Sequence, residues 1–162
     1  MSFEKNSDPN YFIDHQLVTN CGSLALNIKE CYCPDEVFDT PDEDYAYYLI
    51  EKNKCTLETA IKLMLARNVE QILKDFDFLE LCSGDRELAR GEELIAFRMC
   101  LSYDIFGELE TDYHFRVKRN NRWLEKPGCG PVREVKFTEE PWVVSEDLVY
   151  WGPIAYFLRK AS

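Results

Sequence analysis

The chain has no apolar run approaching the roughly 18–20 residues that a membrane-spanning helix requires. The stretch Met1-Ser2-Phe3-Glu4-Lys5-Asn6 is polar as a whole, without the basic-then-apolar pattern expected of a secretory signal. Positive charge is also short: 19 Lys and Arg stand against 30 Asp and Glu, a net charge of −11. Such a balance repels nucleic acid and anionic membrane, so neither is expected as a partner, and a protein partner would be a basic one. The deficit is uneven, −9 over residues 1–81 and −2 over residues 82–162. Histidine is scarce, with two residues. Any chemistry that needs an imidazole base rests on His15 or His114, because the chain has no other. The seven cysteines are odd in number and show no repeated spacing; Cys31-Tyr32-Cys33 is the one close pair, and it lacks a second pair or a nearby histidine. That argues against zinc and against a disulfide framework, so no metal or cofactor is expected, and the thiols suit a reduced, cytoplasmic protein. Internal repeats and low-complexity tracts are absent.

What the chain does have is a good supply of core-forming residues, 46% hydrophobic and 14% aromatic. This excludes disorder and predicts one folded domain over residues 1–162. Residues 1–18 form an irregular lead-in. Thr19 and Asn20 are N-cap types, and Leu24, Ala25 and Ile28 then recur at helical spacing. Cys33-Pro34-Asp35 breaks that pattern. Thr40, Pro41 and Glu43 form a capping-box signature for a second helix, predicted to run to about Lys52. A third and longest helix follows Thr56, with Leu57, Ala60, Ile61, Met64, Leu65, Ile72 and Leu73 on one face.

From about residue 78 the period changes. A short apolar run at 78–82 precedes a strand at 93–102 with both faces largely buried, then a loop at 104–110. Residues 112–119 and 122–126, joined at Asn120-Asn121, predict a β-hairpin that carries His114 on its first strand. Two Pro and two Gly make 126–131 a loop, residues 132–150 hold one or two short segments, and 154–158 is the final strand. Helices followed by antiparallel strands define the class α+β, with N-terminal helices packed on an antiparallel sheet.

Cys21 is the candidate nucleophile. It falls in the first turn of a predicted helix, where unpaired amides and the helix dipole favour a thiolate and lower the thiol pKa. His114, held on a strand, is the preferred base; His15, six residues before the cysteine in a loop, is its rival. The other account of these residues is a buried cysteine and a structural histidine.

Asn20-Cys21 followed by Ala25-Leu26, then Asp112-Tyr113-His114-Phe115, then Trp123-Leu124-Glu125-Lys126-Pro127-Gly128 occur in an order that resembles the papain-like fold. The similarity is to its NlpC/P60-type cysteine peptidase branch, and more narrowly to bacterial and phage proteins that carry Asn-Cys, Asp-x-His-aromatic and Trp-x-His-Lys-Pro-Gly patches. About a fifth of the chain is covered. The resemblance implies an early-helix cysteine working with a strand histidine and a third polar residue. This chain departs from the pattern at Glu125, where the third patch has a second histidine. A carboxylate there can still fix the imidazole tautomer, so a Cys21, His114, Glu125 triad is expected. The backbone amide of Cys21, with the Asn20 side chain or a nearby amide, would bind the oxyanion. Two functions remain open: a thiol hydrolase acting on an amide or peptide bond of a peptide or protein substrate, or a non-enzymatic acidic binding protein, such as a phage-type inhibitor of a basic host or defence protein, on the same scaffold.

Overall fold

The computed structural model describes residues 3–145 and 148–161. In chain order its elements are α1 (Tyr11–Asp14), α2 (Cys21–Leu26), α3 (Asp42–Tyr47), α4 (Leu57–Asp75), β1 (Leu79–Cys82), β2 (Glu93–Tyr103), β3 (Leu109–Arg119), β4 (Arg122–Glu125), β5 (Arg133–Glu134), β6 (Trp142–Val143), β7 (Val149–Tyr150) and β8 (Ala155–Arg159). Six strands pair antiparallel in the order β1-β8-β2-β3-β4-β5, and β6 and β7 form a separate two-stranded ribbon. The class is α+β, as the order of helical and alternating patterns predicts.

Local chemistry accounts for the clearest elements. Thr56 caps α4 by accepting from the Thr59 amide, and Ala60, Ile61, Met64 and Ile72 make the buried face that the 3.6-residue period requires. Asn120 and Asn121 both take positive φ, 53° and 61°, which the tight turn between β3 and β4 needs and asparagine tolerates. At α3 the structure differs from the capping box expected at Thr40. Pro41 occupies the cap without a side-chain bond, and the helix starts at Asp42. The Asp42 carboxylate is buried against α4, accepting from Arg67 at 2.8 Å and from Asn68 at 3.0 and 3.1 Å. Tertiary pairing therefore sets this helix start. Beyond Tyr47 the helix widens into a π turn at Tyr48–Lys52, so it does extend to Lys52.

The sheet is covered on both sides, and β2 is buried on both faces. Ile95, Phe97, Met99 and Leu101 join Phe115 and Val117 beneath α2 and α4; Leu94, Ala96 and Cys100 meet Trp142, Tyr150 and Tyr156 on the opposite side. The segment carrying β6 and β7 forms this outer layer. One asymmetry positions the candidate site. β2 pairs with β3 from Leu109 to Lys118, whereas β4 pairs only with Arg116 to Arg119. Among the described residues, β3 from Leu109 to Phe115 thus has a strand on one side only, and the start of α2 packs at this open edge.

Candidate thiol site

The turn before Cys21 is tightly built. Asn20 Oδ1 accepts from the amides of Ser23 at 3.0 Å and Tyr32 at 3.1 Å, and Ser23 Oγ accepts from the Asn20 amide at 3.0 Å. Asn20 Nδ2 donates to Tyr32 O at 3.0 Å and Tyr113 Oη at 3.2 Å. Both amide protons are therefore committed. Asn20 acts as helix cap and tie to the β3 edge, which corrects the expectation that its side chain could serve the oxyanion. The Cys21 amide has no partner within the helix because Cys21 is its first residue.

Lys126, which sequence reasoning passed over, holds the same turn from the other side. Its ammonium is buried and donates to Thr19 O at 2.5 Å, Gln16 O at 2.6 Å and Gly128 O at 2.7 Å. The segment leading into α2 is thereby joined to the Pro127-Gly128 loop. A lysine next to Pro-Gly is an ordinary loop sequence, so nothing local marks it as buried.

His114 lies on the outer face of β3, opposite Tyr113 and Phe115, and is packed against Trp142 and Tyr150. Its Nε2 is 2.9 Å from Glu125 Oε1. Glu125 is the cross-strand partner of Arg116 and, on the other side, of Arg133. It has no exposed surface and accepts from Arg116 Nε at 2.7 Å and Arg133 Nε at 2.6 Å. Burial alone would raise this carboxyl, but the bonds from His114 and Arg116 outweigh it and hold the pKa at about 2. The anion fixes the proton on Nε2, which leaves Nδ1 of the neutral ring as an acceptor. Burial pushes the His114 pKa below its ordinary value despite the carboxylate, so at neutral pH the ring is uncharged. The Arg116 guanidinium lies over Trp142 at 4.3 Å, completing a network that alternation along the strands could not show.

Cys21 and His114 line one cleft of about 340 Å³, with Asp112, Pro127, Leu148 and Tyr150 among its walls. No hydrogen bond joins thiol and imidazole in this structure. The lowered thiol pKa expected from a helix start is not found: burial raises Cys21 to about 12, the Phe115 amide opposes this, and the Asp112 carboxylate adds to it. The reason is physical. Helix α2 has only six residues, so its dipole is short, while the sheet edge removes the thiol from water. His15 does not enter this cleft. It is exposed, its ring stacks on Tyr11 at 4.1 Å between centroids, and its Nδ1 lies 3.1 Å from Tyr11 O. Among the described residues no group of His, Cys, Asp and Glu is arranged to hold a metal. Among the described residues no helix is long and apolar enough to cross a membrane. Comparison with known protein families, with characterised proteins and with solved structures finds no match.

Proposed function

We propose that the cleft between α2 and β3 is a thiol hydrolase site for an amide or peptide bond, on a diverged papain-like scaffold of the NlpC/P60 type. The observation that carries this reading is the buried His114–Glu125 pair, 2.9 Å apart, in a cleft that His114 shares with Cys21. Cys21 is the nucleophile, His114 the base, and Glu125 the group that fixes the imidazole. A thiol near pKa 12 beside a neutral imidazole is not a preformed ion pair. Deprotonation accompanies attack: the Cys21 proton passes to His114 Nδ1 as Sγ bonds to the carbonyl carbon, and the oxyanion is held by the Cys21 amide. Collapse breaks the C–N bond, the leaving amine takes the proton from His114, and water then hydrolyses the thioester. Seven free thiols suit a reducing, cytoplasmic setting.

The test is reaction with an electrophilic peptide amide analogue, followed by mass mapping of the seven cysteines. Modification of Cys21 well ahead of the other six, lost in His114→Ala, supports the hydrolase. Modification of Cys21 at the same rate in both proteins removes it. The absence of a thiol–imidazole hydrogen bond favours a second reading, an acidic binding protein that uses the scaffold without its chemistry. In that case a basic protein partner binds the −9 half of the chain with strong salt dependence, and Cys21→Ser leaves binding unchanged.

A further inference from the structure

Asp112 lies two residues before His114 on the same face of β3, and its side chain forms part of the wall of the Cys21 cleft. Tyr150 Oη donates to one of its oxygens, Oδ2. Among the described residues no lysine or arginine lines the cleft and no ion pair reaches Asp112. The remaining walls near the thiol include Pro127, Val144 and Leu148, which are apolar. The other polar groups of the lining, Asn20, Tyr113, His114, Ser145 and Tyr150, carry no positive charge at neutral pH, and among the described residues no donor reaches Asp112 Oδ1. A carboxylate with that oxygen free in a partly enclosed cleft attracts a cation better than it would in open solvent.

We infer that Asp112 is the specificity residue of this cleft, binding an ammonium or guanidinium group carried on or next to the residue whose carbonyl Cys21 attacks. The inference deepens the thiol hydrolase reading and rests on it. It also gives the substrate a part in activating the site. The Asp112 charge disfavours a thiolate at Cys21, and a substrate cation seated against Asp112 cancels that penalty when the nucleophile must form. A neutral or anionic acyl group would leave it in place.

Two methanethiosulfonate reagents of similar size test this, the 2-aminoethyl cation and the 2-sulfonatoethyl anion. In each reaction Cys21 Sγ forms a disulfide with the reagent's sulfenyl sulfur, methanesulfinate leaves, and the thiol proton is released to His114. Rates are read at Cys21 by peptide mass spectrometry, with the exposed Cys129 as internal reference for the general attraction of an acidic protein for cations. In the parent the cation should modify Cys21 at least tenfold faster than the anion, beyond the ratio at Cys129. Asp112→Asn, which still accepts from Tyr150, should cut the Cys21 ratio to that of Cys129 and leave the Cys129 ratio unchanged. An unchanged Cys21 ratio in Asp112→Asn overturns the proposal. His114→Ala separates the two claims. If Cys21 modification depends on His114 but the charge preference ignores Asp112, the hydrolase site stands and the cation subsite falls. If preference depends on Asp112 while His114→Ala has no effect, the cleft binds cations but is not a hydrolase, and the inference falls as a statement about substrate.

Discussion

At the scale of single residues the decisive group is Glu125. Its carboxylate accepts from His114, Arg116 and Arg133 with no surface exposed, so it serves the imidazole and neutralises two guanidiniums at once. Glu125→Gln leaves those guanidiniums facing a neutral amide, and we expect a loss of about 3 kcal/mol in stability by urea denaturation. His114-dependent reaction at Cys21 should fall at least tenfold, because an amide neither fixes the Nε2 tautomer nor stabilises an imidazolium. Glu125→His recreates the third residue of the pattern the chain resembles. In this structure it would set another basic group against Arg116 and Arg133, so it should be less stable than Glu125→Gln and restore no reactivity. Recovery of reactivity in Glu125→His would show that the two arginines are free to move away.

At the scale of elements, the start of α2 shows how little room the site has. A Cβ on Gly22 would lie 2.9 Å from Tyr32 O and 3.0 Å from Tyr32 Cβ, closer than side-chain carbons approach without something shifting. Gly22→Ala should cost about 1–3 kcal/mol and slow Cys21 modification by moving the helix start off the β3 edge, measurable by thermal unfolding and alkylation rate. The elements that sequence patterns located well are those with local signals: α4 with its Thr56 cap and apolar face, the Asn120-Asn121 turn, and the Asn20 cap itself. Positions settled by distant partners were not legible. Asp42 moves a helix start through its bonds to Arg67 and Asn68, and the extent of β3 beyond the 112–119 pattern depends on pairing with β2. The candidate site divides in the same way. Cys21, His114 and Asn20 carry local marks, whereas the contacts of Asp112, Lys126, Arg116 and Arg133 arise only when strands and loops far apart in the chain meet.

At the scale of the molecule, the last strand in sequence is interior in space. β8 lies between β1 and β2, pairing with both, and buries Phe157 and Leu158. A chain ending before Ala155 should lose cooperative unfolding in circular dichroism, since β1 then has no neighbour and one side of β2 is open. A native-like melting transition in that truncated chain would contradict this account of the sheet. The outer layer carrying β6 and β7 covers His114 and supplies Tyr150 and Leu148 to the cleft, so burial of His114 is a property of the whole assembly.

If a neutral His114 takes the proton of a buried, neutral Cys21, the alkylation of Cys21 by iodoacetamide must show it in its pH dependence. With the His114 pKa below its ordinary 6.5 and the Cys21 pKa near 12, the parent rate should rise as His114 loses its proton at acidic pH. It should then hold level through neutral pH and rise again only as the thiolate forms at strongly alkaline pH. His114→Ala should keep the alkaline rise alone. Superimposable profiles for the two proteins, each with only the alkaline rise, would contradict the account and leave Cys21 as a buried thiol beside a structural histidine.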